Sequence, residues 1–120
     1  MQVVVTSQGV ALDSPVDPRF GRARYLVLVD TDTGEFSTVN NEIHLNAPQG
    51  AGIQTGKKVV ELKARAVITG HVGPKAFSVL DAGGVAVYTG AAGTVNEVLA
   101  QFKAGTLQRT QAATVEGHWM

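Results

Sequence analysis

Short apolar runs alternate with polar, glycine-rich segments along the whole chain. Val3, Val4 and Val5 form a continuous β-branched run, which is typical of a central strand covered on both faces. Residues 25–29 predict a second strand, and a turn at 30–34 leads to a more polar third strand at 35–39 that suits a sheet edge. The first part of the chain is therefore expected to supply three strands.

The second half of the chain alternates between helical and strand patterns. Pro74 suits a first helical turn, and Gly105 is a stop signal after the last helix. Thr94 and Glu97 match a capping box. The apolar spacing predicts helices at 51–63, 74–82 and 95–103 and strands at 66–69 and 85–88. This alternation predicts an α/β fold with parallel strands.

Two corners of the chain share the pattern V-x-T-G-x-x-G, one at 67–73 and one at 87–93. Each stands where a predicted strand passes into a helix. Because right-handed crossovers make the two strands parallel, both corners are expected at the carboxyl edge of the sheet. The first strand ends at this edge, where a long loop at 7–24 begins; loops of this length in small domains are usually functional or disordered.

Helix N-termini at such an edge attract anions through their free N–H groups and the helix dipole. The loop adds three arginines, and the phenylalanine among them is expected to form an apolar wall. The residues expected at this site are Arg19, Phe20, Gly21, Arg22, Arg24, Gly50, Gly52, Gly70, His71, Gly73, Gly90 and Gly93. The same residues are also compatible with ordinary turn glycines and a solvated arginine loop.

The chain has no cysteine, which excludes disulfides, a thiol nucleophile and any cluster held by protein thiolates. His71 in the first corner and His44 ahead of the Gly50 corner are the candidate metal ligands. Ten basic residues balance ten acidic ones, which argues against a nucleic-acid or membrane-surface partner. No long apolar segment or signal peptide is apparent, so a cytoplasmic location is expected.

The sequence lacks a recognisable catalytic arrangement. No P-loop motif occurs, and the glycines from Gly50 to Gly56 miss the dinucleotide-binding spacing by one residue. No carboxylate lies on the first central strand, as a two-metal nuclease would require. Asp17 is better explained as a turn residue or a partner of Arg19 or Arg22 than as an acid–base group. We therefore expect a protein that is not an enzyme.

Three motifs carry a resemblance to a known family: D-x-x-F-G-R-A at 17–23, GAG at 50–52 and TGHVGPKAF at 69–77. Over residues 1–107 the chain resembles the dinitrogenase iron-molybdenum cofactor biosynthesis family. The resemblance implies a ribonuclease-H-like, three-layer α/β/α fold with a mixed five-stranded sheet of order 3-2-1-4-5, in which strand 2 is antiparallel. Residues 108–120 are expected to form a C-terminal tail.

The resemblance also implies a non-catalytic carrier for an anionic molybdenum-containing metal–sulfur cluster. The cluster would be of the molybdenum–copper sulfide or iron–molybdenum type, held non-covalently, lost on purification and exchanged with protein partners in assembly or delivery. A sulfide-rich cluster brings its own soft donors and negative charge, so arginines and helix N-termini can hold it without thiolates. The residues alone leave open a regulatory or scaffold module that binds a phosphate-type anion or a protein partner.

Overall fold

The structure is a computed structural model that describes residues 1–42 and 50–113. The predictions for His44 and for the last part of the tail lie outside these residues. The described strands are β1 (Gln2–Ser7), β2 (Tyr25–Asp30), β3 (Phe36–Asn40), β4 (Ala66–Ile68), β5 (Ala86–Thr89) and β6 (Gln108–Thr110). The described α-helices are α1 (Ala51–Glu61), α2 (Pro74–Ala82) and α3 (Val95–Ala104), and a 3-10 helix spans Phe20–Arg22.

The strands form one mixed sheet of order β3-β2-β1-β4-β5-β6. Strand β1 is parallel to β4, and β4 is parallel to β5. Strand β2 is antiparallel to β1, as expected, and β3 is antiparallel to β2. The carboxyl ends of β1, β4 and β5 therefore lie at one edge of the sheet, together with the start of β2.

The sheet has six strands in the described residues, and the expectation of five was wrong. The additional strand, β6, is antiparallel to β5 and lies in the segment predicted to be tail. Its short polar sequence carries no apolar alternation, because β6 is an edge strand that is largely exposed. The hydroxyls of Thr89 and Thr110 contact each other across this last strand pair.

Helices cover both faces of the sheet. On one face, Val3 and Val5 of β1 pack in a core that includes Val98 of α3. On the opposite face, Val4 packs in a second core with Val59 of α1 and with residues of α2. Side chains that alternate along β1 thus enter different cores, which explains the unbroken valine run and produces three layers.

The predicted helix signals are confirmed. The Thr94 hydroxyl accepts the Glu97 N–H at 3.1 Å, and the Glu97 carboxylate accepts the Thr94 N–H at 3.0 Å, which completes the capping box. Pro74 occupies the first turn of α2, and Gly105 ends α3 in the left-handed region with φ 75°. The longest helix that the structure describes has 11 residues, so none has the length of a membrane span.

Candidate functional site

The loop that follows β1 fills the crevice above the carboxyl ends of β1 and β4. The Asp17 N–H donates to the Thr6 carbonyl at 2.9 Å, and the His71 N–H donates to the Pro18 carbonyl at 2.7 Å. The Phe20 N–H in turn donates to the His71 carbonyl at 3.2 Å. In open α/β sheets this crevice usually receives the ligand. Here residues 17–20 occupy it, so a ligand at this edge has to lie further out.

Two buried hydroxyls fix this loop to the sheet. The Thr6 hydroxyl oxygen lies 2.8 Å from the Asp17 carbonyl oxygen and 2.8 Å from the Thr69 hydroxyl oxygen. Because a carbonyl only accepts and a hydroxyl carries one proton, Thr6 donates to Asp17 and Thr69 donates to Thr6. Both threonines are fully buried. The end of β1, the first corner and the loop are joined by this chain of hydrogen bonds.

The first corner receives the loop at very close range. Gly70 is buried, and a Cβ atom on it would lie 2.6 Å from the Cα atom of Pro18. One residue further along, Arg19 and His71 form a parallel β-bridge. Residues paired in this way project their side chains to the same side, and both side chains here are exposed. The absence of a side chain at Gly70 therefore lets Pro18 of the loop pack directly against the first corner, while Arg19 and His71 form a pair at the surface.

The second corner is used for internal contacts. The Gly90 N–H donates to the Gly70 carbonyl at 2.9 Å, and the Ala91 N–H donates to the Thr69 carbonyl at 3.2 Å. Gly93 accepts the Val16 N–H through its carbonyl at 2.9 Å. The expected sites Gly90 and Gly93 thus hold the two corners and the loop together, and the N–H groups of Gly90 and Ala91 donate to backbone carbonyls of the first corner.

The N-terminus of α3 is also satisfied within the protein. The Val95 N–H donates to the Ser14 carbonyl at 3.0 Å, and the Asn96 N–H donates to the Leu12 carbonyl at 2.8 Å. The Glu97 N–H is occupied by the capping box described above. Of the helix N-termini expected to bind an anion, this one has its first-turn donors engaged by protein acceptors.

The N-terminus of α1 differs in this respect. Gly50 is the N-cap residue of α1, lies in the left-handed region with φ 75°, is exposed, and as a glycine has no side chain that could cap the helix. Ala51 and Gly52 are buried, yet in residues 1–42 and 50–113 no acceptor is found for their N–H groups or for that of Ile53. A helix N-terminus with unsatisfied donors favours an anion supplied from outside.

Helices α1 and α2 pack side by side in parallel, since Gly56 lies against Val79 and Gly83 lies against Val60, so their N-termini are at the same edge. Gly73 caps α2 with extended geometry, and Pro74 has no N–H to offer. The N–H groups of Lys75 and Ala76 find no acceptor among the described residues. Lys75 is exposed and adds a positive charge at this edge.

The three arginines of the loop have different environments. Arg19 is exposed, and no ion pair is found for it within the described residues. Arg24 is 59% exposed and pairs with Glu42, with 3.6 Å between Nε and Oε1. Arg22 is half-buried in the 3-10 helix, which packs against α1. Arg19 is therefore exposed and lacks the direct ion pair that Arg24 forms with Glu42 in the described part of the chain.

Phe20 does not form the expected apolar wall. Its side chain is fully buried in the core that contains Leu26, Val59 and Val72, and the adjacent Gly21 is also buried. The 3-10 helix directs the ring toward the sheet because an exposed ring would leave that core unfilled. Phe20 therefore anchors the loop in this core.

Asp17 is a turn residue, in line with the sequence analysis. Its carboxylate accepts the Arg19 backbone N–H at 3.0 Å, and the residue is 6% exposed. Burial raises the pKa of the Asp17 carboxyl, although the backbone N–H and the charge of Arg19 oppose this shift. Asp17 thus shapes the loop that presents Arg19.

Asn41 was not among the predicted site residues, and it is fully buried. Its side-chain amide donates to the Ala23 carbonyl at 2.8 Å and to the Thr55 hydroxyl at 3.1 Å, and its backbone N–H donates to the Arg24 carbonyl at 2.8 Å. No local motif marks this residue. Only the polar identity of Thr55 in an otherwise apolar helix face was a visible signal.

The donor set fits an anion better than a bare metal ion. No group of three histidine, aspartate or glutamate side chains that could hold a metal ion occurs in the part of the chain that the structure describes. Cysteine is absent from the whole sequence. What the edge offers is backbone N–H groups, Arg19 and His71, which suit a ligand that carries its own negative charge.

Comparison with known proteins agrees with this architecture. The profile of the family described as dinitrogenase iron-molybdenum cofactor matches residues 1–105. The chain belongs to this family. The match includes the loop and all three corners and ends before β6. A curated relative, an uncharacterised protein of Methanocaldococcus jannaschii, is 29% identical over 98 residues, which cover 78% of this chain and 81% of that protein.

Two solved structures of similar proteins cover almost the whole family domain. The chain is similar to the apo form of the orange protein from Desulfovibrio gigas, with 35% identity, a TM-score of 0.93, and coverage of 95% of this chain and 96% of that one. It is also similar to a NifB-like protein of Thermotoga, with 34% identity, a TM-score of 0.84, and coverage of 97% and 98%.

Proposed function

We propose that this family member is a non-catalytic binding protein for an anionic, molybdenum-containing metal–sulfur cluster. The observation that carries the proposal is the set of N–H groups at the start of α1 that find no acceptor within residues 1–42 and 50–113, at the same sheet edge as the exposed pair Arg19 and His71. Membership of the iron-molybdenum cofactor family and likeness to the orange protein, solved in its apo form, support a cluster as the occupant.

The cluster is the cargo of the protein. Arg19 would supply positive charge, the first turn of α1 would supply hydrogen-bond donors, and His71 is the candidate direct ligand among the described residues. The sulfur has to arrive with the cluster, because the chain contains no cysteine. Such binding relies on charge and hydrogen bonds, so we expect loose retention and loss on purification.

Three finer expectations belong to this proposal. Of the two cluster types, the molybdenum–copper sulfide type is preferred, because a compact anion suits an edge whose crevice is already filled by residues 17–20. The second expectation is that the fold belongs to the ribonuclease-H-like class. The third is that the protein is cytoplasmic, where it would exchange its cargo with protein partners. Elemental analysis of protein from its native cells, and fractionation of those cells, address the metals and the location.

The test uses the full chain incubated with tetrathiomolybdate and Cu(I), with tetrathiomolybdate alone, with an iron–molybdenum cluster and with inorganic phosphate. Co-elution of molybdenum and copper with the protein, together with a new visible absorption band, is the expected result. Failure to take up any molybdenum species would overturn the proposal. Thermal stabilisation by phosphate but not by thiometallates would instead identify a phosphate-binding regulatory or scaffold module.

A further inference from the structure

Asn41 joins two segments that form the proposed site. Through its side chain it contacts the end of the arginine loop at Ala23 and the second turn of α1 at Thr55, with donor–acceptor distances of 2.8 and 3.1 Å. Through its backbone it contacts Arg24 at 2.8 Å. The loop carries Arg19, and α1 carries the first-turn N–H groups for which the described residues offer no acceptor. Asn41 therefore connects the charged part of the site to its hydrogen-bonding part.

The surroundings make this contact specific. Asn41 and Thr55 are both fully buried, and the neighbouring helix position Val59 belongs to the apolar core. A buried amide is costly unless it is hydrogen-bonded, and its geometry allows few alternative arrangements. Purely apolar packing between the loop and α1 would allow small shifts of one segment along the other. The Asn41–Thr55 pair fixes one relative position.

The next residue reinforces this connection. Glu42 pairs with Arg24 at 3.6 Å, so residues 41 and 42 both contact the end of the loop. The antiparallel ladder of β2 and β3 ends at the pair Tyr25 and Asn40, which delivers Asn41 to this position. The fold thus places Asn41 where the ladder, the loop and α1 meet.

We propose that Asn41, acting through Thr55, is a positioning residue that sets the distance between the arginine loop and the N-terminus of α1. This inference rests on the proposed function, because its consequence is the affinity for an anionic cluster. It assigns to Asn41 no contact with the cargo. Its effect on binding arises from the two segments that it holds in register.

The test compares three variants of the full chain. Thr55→Val removes the hydroxyl at nearly constant volume, Thr55→Ser keeps the hydroxyl, and Val59→Ala weakens the core of the same helix without touching the hydrogen bond. The probe is tetrathiomolybdate with Cu(I). We expect Thr55→Val to bind about fivefold more weakly than the unmodified chain, whereas Thr55→Ser recovers binding to within about twofold.

Val59→Ala distinguishes positioning from general stability. This variant should lose thermal stability, yet bind the probe within about twofold of the unmodified chain. Equal loss of affinity in Val59→Ala and Thr55→Val would overturn the positioning role, because stability alone would then explain the effect. Unchanged affinity in Thr55→Val would overturn it as well.

Amide hydrogen exchange of the unliganded protein separates this inference from the proposed function. In Thr55→Val, exchange should accelerate in residues 19–24 and 50–54, while β1 and β4 keep their protection. If the unmodified chain bound no molybdenum species, the proposed function would fail, and hydrogen exchange would still decide the positioning role. Equal protection of residues 19–24 in Thr55→Val and the unmodified chain would then contradict it.

Discussion

A Cβ atom on Gly70 would lie 2.6 Å from both the Cα atom and the carbonyl oxygen of Pro18. Contacts this short involve backbone, so the loop or the corner would have to move to accept any side chain. The loop is fixed nearby by Thr6 and Thr69, which are fully buried. Glycine at this position is therefore a requirement of the packing between the loop and the first corner.

Gly70→Ala should lower the free energy of unfolding by about 1–3 kcal/mol, because it overpacks a backbone contact. Gly34→Ala is the matched control: Gly34 has φ 79° with open space around its Cβ position, so it should cost about 1–2 kcal/mol from backbone conformation alone. Gly70→Ala should also weaken probe binding, whereas Gly34→Ala should not. Urea unfolding measures the first effect, and a Gly70→Ala chain with unchanged stability and binding would refute it.

Arg19→Gln should weaken binding of the thiomolybdate–copper probe about fivefold, and the effect should shrink at high salt. Arg24→Gln should have a smaller effect, because Arg24 already pairs with Glu42. Arg109→Gln, on the edge strand β6, serves as a charge-matched control. Titration monitored by visible absorption gives the three affinities. The same loss in all three variants would show that only net charge matters.

Asp17→Asn should stabilise the protein more at pH 7 than at pH 3. Burial raises the pKa of Asp17 in the folded state. As pH rises from the unfolded value of about 3.9 through the raised folded value, the folded state binds more protons than the unfolded state, so the free energy of unfolding falls. Asparagine removes this pH-dependent loss and still offers an oxygen to the Arg19 N–H.

Asp30→Asn is the control of opposite sign for this titration. The backbone N–H of Asp32 lowers the pKa of Asp30, so this carboxylate stabilises the fold above its unfolded pKa and loses that contribution as pH falls. Asp30→Asn should therefore be destabilising at pH 7 and less so at pH 3. Urea unfolding at both pH values tests the pair. Parallel stability profiles for the two variants would contradict the assignment.

Thr94→Ala should lower the free energy of unfolding by about 1 kcal/mol through loss of the capping box. It should leave probe binding within about twofold, because the first-turn N–H groups of α3 donate to Ser14 and Leu12. Thermal unfolding and the same titration measure both quantities. A strong loss of binding without a loss of stability would instead make the α3 N-terminus part of the site.

Much of the fold could be predicted because its signals are local. Pro74, the capping box at Thr94 and the stop at Gly105 each act within one helical turn, and all three are where the sequence indicated. The valine run of β1 correctly indicated a strand that is buried on both faces. Strand β6 gave no such signal, because pairing along its backbone with β5 defines it. The division into residues 1–107 and a tail stays a prediction.

For the candidate site, the sequence indicated a sheet edge and a set of residues but not how each residue is used. The sequence predicted the loop and the glycine corners at one edge. It could not show which glycines are needed for close packing and which for a left-handed backbone conformation. Gly70 accommodates Pro18, whereas Gly50 allows a left-handed entry into α1 with open space around it. Asn41 escaped detection because its role depends on Thr55, which lies 14 residues further along the chain. Such relationships exist only once the chain is folded.

The loop in the crevice above β1 and β4 also determines how cargo would leave. Because residues 17–20 already contact the ends of β1 and β4, a cluster bound as proposed would rest further out on the described part of this edge. A receiving protein could touch the cluster while it is still held, and no domain would have to open. A cluster held that far out would be accessible to water and oxygen, so rapid transfer by direct contact would protect it better than prolonged storage.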